Sequence, residues 1–235
     1  MKNVNLFKSE EIIAVCGRIT SLLSAELLSV TFGVPEPEVV KPRYNIAPTH
    51  LIPVIRENYD NERCLCAVRW GQVSSWANDL SIGTDLINTK RENLTEKQSF
   101  CDASTHCRCI IPANGFYVWF TTDDRKQPWY VTRKDGAPMA FAGLLEQWCT
   151  PGGNQIETCT IITVAANELF RHLHDRMPAI LESQDFPLWL ESTPVSSSRL
   201  ISILKTPSPD VLTTYPVSTL VNNPACDGAD CIEPA

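Results

Sequence analysis

The chain lacks most of the features that would assign it at once to a membrane, a secretory route or a nucleic-acid coat. Nowhere do about 18 apolar residues run together, so no membrane-spanning helix is expected. The opening stretch MKNVNLFKSEEIIA has neither a long apolar segment nor a small-residue cleavage site, which predicts a chain that is not secreted. Basic residues are scarce: 20 Lys and Arg against 27 Asp and Glu leave a formal charge of -7. Broad non-specific DNA binding is therefore excluded, and any nucleic-acid contact must come from a local patch. Ten cysteines in 235 residues are too thinly and irregularly spread for a small disulfide scaffold, and predict reduced intracellular thiols.

Metal signals are weak. Cys64/Cys66 and Cys107/Cys109, with His106 beside the latter, invite a metal reading. A Cys-x-Cys pair in a strand, however, points both side chains to one face without making a zinc knuckle. Buried or half-buried thiols are expected there, with no metal and no organic cofactor.

What is present is ordinary globular material, 43% hydrophobic and 20% charged, enough for one domain. Residues 21–31 (SLLSAELLSVT) carry apolar residues at helical spacing and predict a helix that stops at Gly33 and Pro35. Short β-branched or aromatic runs predict strands at 51–55, 65–70, 108–111, 116–120, 128–132, 139–144 and 158–164. Asn114-Gly115 and Lys134-Asp135-Gly136 predict tight hairpin turns. Helical pieces are expected at 166–173, 186–190 and 197–204, after which the pattern fades. The sum is an α+β fold, mainly antiparallel, with helices flanking a curved sheet or barrel-like core. Residues 1–15 read as an extension, 16–223 as the domain and 224–235 as a disordered tail; the expected state is a monomer.

Several segments stand out in order along the chain: Cys16-Gly17-Arg18, Arg43-Tyr44-Asn45-Ile46-Ala47-Pro48, Arg69-Trp70-Gly71 with Trp76, Ile87-Asn88-Thr89-Lys90, Asn114-Gly115-Phe116-Tyr117-Val118-Trp119, and His174-Asp175-Arg176-Met177-Pro178. In order and spacing they resemble the SRAP family, the SOS-response-associated peptidases or abasic-site processing proteins. The resemblance covers nearly the whole chain, from Cys16 to Asn223.

It implies the SRAP fold and a partner, single-stranded DNA carrying an abasic site. In that family the mature chain begins with cysteine, whose α-amine and thiol capture the sugar aldehyde as a thiazolidine. Carried over residue by residue, Cys16 is the nucleophile, His174 the proton exchanger and Asn88 the group that holds the cysteine terminus or the lesion sugar. An amine titrating at about 8, a thiol at about 8.5 and a histidine at about 6.5 suit this chemistry near neutral pH. DNA contacts fall to Arg18, Arg43, Arg69, Lys90 and Arg176. Trp70 and Trp76, with Phe116 and Trp119, are the candidate stacking surfaces.

Two positions depart from the family pattern. Val118 stands where the family has a glutamate, and Lys90 where it has an arginine. Glu92 is a nearby carboxylate that could replace the missing acid. A third oddity is Val15, which ties the Cys16 nitrogen into an amide and so removes its nucleophilicity. The preferred explanation is a misplaced start, because Val15 lies where the initiator would be and valine's GUG codon can serve as one. Proteolytic trimming would serve as well. Two other readings stay open: a DNA-binding module that forms no adduct, and a thiol peptidase acting on its own N-terminus through Cys16 and His174.

Overall fold

The structure, a computed structural model, describes residues 16–94, 107–122, 125–150, 152–193 and 195–235; the extension 1–15, with Val15, and His106 lie outside them. Among the described residues the chain runs β1 (Arg18–Ser21), α1 (Ala25–Phe32), β2 (Arg43–Ile46), β3 (Leu51–Glu57), β4 (Arg63–Trp70), β5 (Asn88–Lys90) and β6 (Arg108–Ala113). It continues through β7 (Gly115–Thr122), β8 (Arg125–Arg133), β9 (Met139–Cys149), β10 (Gln155–Ala165), β11 (Arg176–Pro178), α2 (Phe186–Leu190), α3 (Ser197–Ile203) and β12 (Leu212–Pro216).

Two sheets result, and the fold is α+β. One is antiparallel, in the order β12-β8-β7-β1-β2. The other runs β10-β4-β3-β6-β9, and β9 pairs back to β10 so that five strands close into a barrel. Closure leaves no free edge among those five. The β10–β4 pair is parallel and the rest are antiparallel. Beyond the barrel wall β10 continues between two added strands, β5 on one edge and β11 on the other.

Local chemistry explains most boundaries. Ser24 caps α1 by accepting the Leu27 amide at 3.1 Å, and Gly33 ends it with φ 69, a left-handed conformation that glycine takes without strain. The helix starts later than residue 21 because Ser21 completes β1. Segment 166–173 is a run of turns rather than a helix: the Asn167 side chain accepts the Phe170 amide at 3.0 Å, and its own amide donates to Pro207. Helix α2 is short but pinned, because Trp189 is fully buried and donates to the Cys109 carbonyl while Arg108 donates back to the Trp189 carbonyl.

Two expected hairpins are corners instead. At Asn114-Gly115 the chain leaves the barrel strand β6 and enters β7 of the other sheet. Neither residue has a positive φ, so the mirror-image hairpin turn that Asn-Gly favours does not form. Lys134-Asp135-Gly136 does turn, with Gly136 at φ 69, but it likewise joins strands of different sheets.

The expected disordered tail is ordered. Val217 bridges Pro234, Cys231 is buried, and Asp227 accepts the Tyr44 and Asn45 amides at 2.6 and 2.8 Å. The segment has no periodic pattern because side chains of β2, distant in sequence, hold it down. No helix of the described residues is long and apolar enough to cross a membrane.

Candidate functional site at the end of the tenth strand

Strand β10 organises the site. Its last residues pair with Asn88-Thr89-Lys90 on one edge, Ile161 opposite Asn88 and Thr163 opposite Lys90, and with Arg176-Met177-Pro178 on the other. Segments more than 80 residues apart in sequence thus flank one strand end. Thr163 ties them together: its hydroxyl donates to the Thr89 carbonyl at 3.3 Å, and its carbonyl accepts from Arg176 at 2.5 Å. Arg176 also grips Glu92 with both ends of its guanidinium, at 2.9 and 3.2 Å.

That fork decides the role of Glu92. The hydrogen bonds from Arg176 hold its carboxyl below the usual carboxylate range. It is therefore ionised near neutrality, unsuited to replace a missing acid, and able only to accept. Lys90 is exposed beside it.

His174 sits at the mouth of β11, its backbone amide donating to the Phe170 carbonyl at 3.1 Å. Its Nδ1 lies 3.1 Å from the Arg176 amide and 2.7 Å from an Asp175 carboxylate oxygen. One nitrogen cannot serve both at once. Nδ1 accepts from the Arg176 amide or, when it carries the ring proton, donates to Asp175, so the ring is held in place by whichever partner its tautomer suits.

Trp70 does not offer a stacking surface. It is fully buried, and its indole nitrogen donates to the Ile87 carbonyl at 2.9 Å, next to Asn88. Its place follows from Gly71, at φ 120, where a Cβ would come within 2.4 Å of the Gly83 carbonyl. The Arg69-Trp70-Gly71 motif therefore positions the Asn88 strand. Phe116 is also fully buried, against Phe170 at 5.6 Å and Phe141 at 5.9 Å. Trp76, by contrast, is 77% exposed. Arg69 is half-buried, and its Nη1 has no hydrogen-bond partner among the described residues.

Cys16 precedes β1 and is fully buried, with φ 53. Positive φ at a non-glycine residue is uncommon and costs on the order of 1 kcal/mol or more. Burial pushes its thiol well above the ordinary value, so as placed it is a protonated, covered group. Strand β1 lies against β7, Arg18 opposite Tyr117. Val118 is next along and buried, an apolar side chain with no proton to give.

Arg18 and Arg43 are held by the C-terminal segment. Arg18 donates to Asn45 and to the Val221 carbonyl, both at 2.7 Å, and its guanidinium lies 5.9 Å from the Trp119 ring centre. Trp119 is pinned in turn by Asn222 at 2.7 Å. Arg43 forms an ion pair with Asp227 and lies 3.2 Å from His50 Nδ1. Asn45, fully buried, donates to the carbonyls of Val221, Asn223 and Cys226. Sequence reasoning missed Thr163, Asn45 and Asp227 as organising residues, since only the folded chain brings their partners near.

A family model described as SOS response associated peptidase (SRAP) matches residues 15–224. The abasic site processing protein YoqW of Bacillus subtilis is 40% identical, over 93% of this chain and 99% of its own length. The abasic site processing protein HMCES of Xenopus tropicalis is 29% identical, over 82% of this chain and 66% of its own. Among solved structures, a Bacteroides thetaiotaomicron protein superposes with a TM-score of 0.80 at 22% identity, over 94% of this chain and 100% of its own, a likeness of fold. The segments gathered around β10, the closed barrel and the match across most of the chain lead to one conclusion: the chain belongs to the SOS response associated peptidase (SRAP) family.

Proposed function

We propose that this protein processes abasic sites in single-stranded DNA by crosslinking to them through Cys16, once Cys16 is the N-terminal residue. The observation that carries the reading is the convergence of Asn88, Lys90, His174 and Arg176 at one strand end, in a chain similar over most of its length to proteins named for abasic site processing.

The chemistry balances with groups of this chain alone. The free α-amine of Cys16 adds to the sugar aldehyde and water leaves, giving an imine. The thiol then adds across the C=N bond, sulfur to carbon and proton to nitrogen, and closes a five-membered thiazolidine. His174 exchanges the protons, its ring held by the Arg176 amide or by Asp175. Asn88 offers both donors and an acceptor to position the terminus or the sugar. Lys90 and Arg69 take phosphates, and Trp76 takes a base on its exposed face. Val118 supplies no acid, which costs about 10²–10⁴-fold in rate without forbidding the condensation.

The burial of the Cys16 thiol favours a second reading, a module that binds such DNA without forming an adduct. One gel separates the two. Single-stranded DNA bearing one abasic site is incubated with the chain beginning at Cys16, then denatured. A shifted band that disappears in Cys16→Ser and forms more slowly in His174→Ala supports crosslinking. No shifted band, with binding intact before denaturation, supports the module. Loss of residues 1–15 from the full chain before DNA is added would point to a peptidase acting on itself.

A further inference from the structure

Strand β5 aims Asn88 and Lys90 the same way. They lie two residues apart on one strand, so their side chains leave one face about 6.7 Å from each other. Pairing carries that face across the strand end: Thr163 stands opposite both Lys90 and Pro178, and Ala165 opposite Arg176. Asn88, Lys90, Thr163 and Arg176 therefore share one face. Thr89, between the first two, is buried, and its carbonyl accepts the Thr163 hydroxyl at 3.3 Å. The backbone that carries Lys90 is thus fixed, while its side chain is exposed. Arg176 is placed differently, its side chain only 13% exposed and both ends of its guanidinium bonded to Glu92.

We propose that the Lys90 amine reversibly captures the aldehyde of an abasic site as an imine, a second activity that needs no free N-terminus. It rests on the reading that such DNA is bound at this strand end. Lys90 shares its face with Asn88, the residue assigned to the lesion sugar, and its four-carbon stem is flexible enough to bring Nζ over that neighbour. The residue type matters as much as the place. A guanidinium, which the family pattern has here, keeps its proton and offers no nucleophilic lone pair, whereas a lysine amine that sheds its proton forms Schiff bases with carbonyls. In the full chain Cys16 offers neither of its own groups, since its nitrogen is in an amide with Val15 and its thiol is buried. Exchanging arginine for lysine therefore changes what this position can do, beyond how it holds a phosphate.

The step balances without a co-reactant. As an ammonium, Lys90 pairs with a phosphate; once it has passed one proton to solvent, its lone pair adds to the aldehyde carbon. A C–N bond forms, the carbonyl oxygen becomes a hydroxyl and leaves as water, and a C=N bond remains, with no change of oxidation state. Water adding back reverses it. Lysine carries no thiol beside its amine, so no ring closes. The adduct therefore hydrolyses on denaturation, where a thiazolidine at Cys16 would persist.

The test incubates the full chain with single-stranded DNA bearing one abasic site and with cyanoborohydride, whose hydride turns the imine into a stable secondary amine. Intact mass and peptide mapping after denaturation locate the adduct. The full chain should gain the mass of the DNA minus one oxygen atom, on the peptide that carries Lys90, and should gain nothing when the reductant is left out. Lys90→Arg, which keeps the charge, should lose at least tenfold in adduct per bound DNA. Lys134→Arg, at an exposed turn between β8 and β9, should match the wild type. Bound DNA with no adduct at Lys90, or equal yields from Lys90→Arg and the wild type, would overturn the inference and leave capture by a chain beginning at Cys16 standing. If neither the full chain nor the Cys16-first chain binds such DNA, the inference falls together with the reading beneath it.

Discussion

Two cation-bearing regions look alike in the sequence and are used differently by the fold. Arg18 and Arg43 sit in a clasp, where Asn45, Asp227 and the carbonyls of Val221 and Asn222 hold their guanidinium groups. Lys90 and Arg176 sit at the rim of β10, where Lys90 is exposed and Arg176 is tied to Thr163 and Glu92. The clasp uses its charge to fasten the C-terminal segment to β1 and β2. At the rim Arg176, its side chain 13% exposed, is likewise tied to the chain, and Lys90 turns its charge outward beside Asn88. A positive residue in a motif therefore says that position matters, not whether its partner is DNA or the chain's own backbone.

Breaking the clasp should give the largest effect on stability. Asn45→Ala removes three hydrogen bonds to the carbonyls of Val221, Asn223 and Cys226 and, at about 1 kcal/mol each, should cost about 3 kcal/mol, lowering Tm by about 6–12 °C for a chain of this size. Thermal unfolding measures it, and an unchanged Tm with weakened DNA binding would erase the distinction between the regions. Trp70→Phe tests the rim's support from behind. Losing the bond to Ile87 should cost about 1–2 kcal/mol and slow adduct formation about tenfold through a displaced Asn88 strand, with DNA affinity nearly unchanged. A fall in affinity instead would restore Trp70 to the DNA surface.

Lys90→Ala should leave stability within about 0.5 kcal/mol. It should weaken DNA binding about threefold and reduce the salt slope by about 0.7, the share of one phosphate on a single strand; filter binding across a salt series reads both. The smallest effect concerns pH. Burial, then Arg43 and Arg18, hold His50 below its ordinary value. In the window below about 6.5 the unfolded chain takes up a proton that the folded clasp does not, so stability is full above that pH and falls as pH drops through it. His50→Gln should flatten the decline of Tm between pH 7.5 and 5.5; an unaltered slope would remove His50 from the clasp's energetics.

Much of the fold was legible because its signals are local. The strands at Leu51, Arg108 and Met139 carry the β-branched and aromatic runs that pleated surfaces favour, and Ser24 and Gly33 bracket α1 with its own caps. The misreadings came where distant partners decide. Asn114-Gly115 became a corner because β6 and β7 belong to different sheets. The C-terminal segment lacks periodicity yet is ordered by Asn45 and Asp227, which lie some 180 residues apart. Within the candidate site, Asn88 and His174 are picked out by motif, and the fold brings their segments to one end of β10. Trp70 was misassigned because an aromatic that stacks on a base and one that braces a strand look the same in one dimension. Thr163, which joins the two rim strands, carried no signal outside a buried strand.

The central claim is that the nucleophile works only as a free N-terminus. The most direct test compares the full 235-residue chain with the chain beginning at Cys16, each incubated with single-stranded DNA bearing one abasic site and analysed by intact mass. The Cys16-first chain should gain the mass of the DNA minus one water, the balance of imine formation and ring closure, and the full chain should gain nothing while residues 1–15 remain attached. An equal adduct on the intact full chain would contradict this account, because an amide nitrogen cannot close the ring.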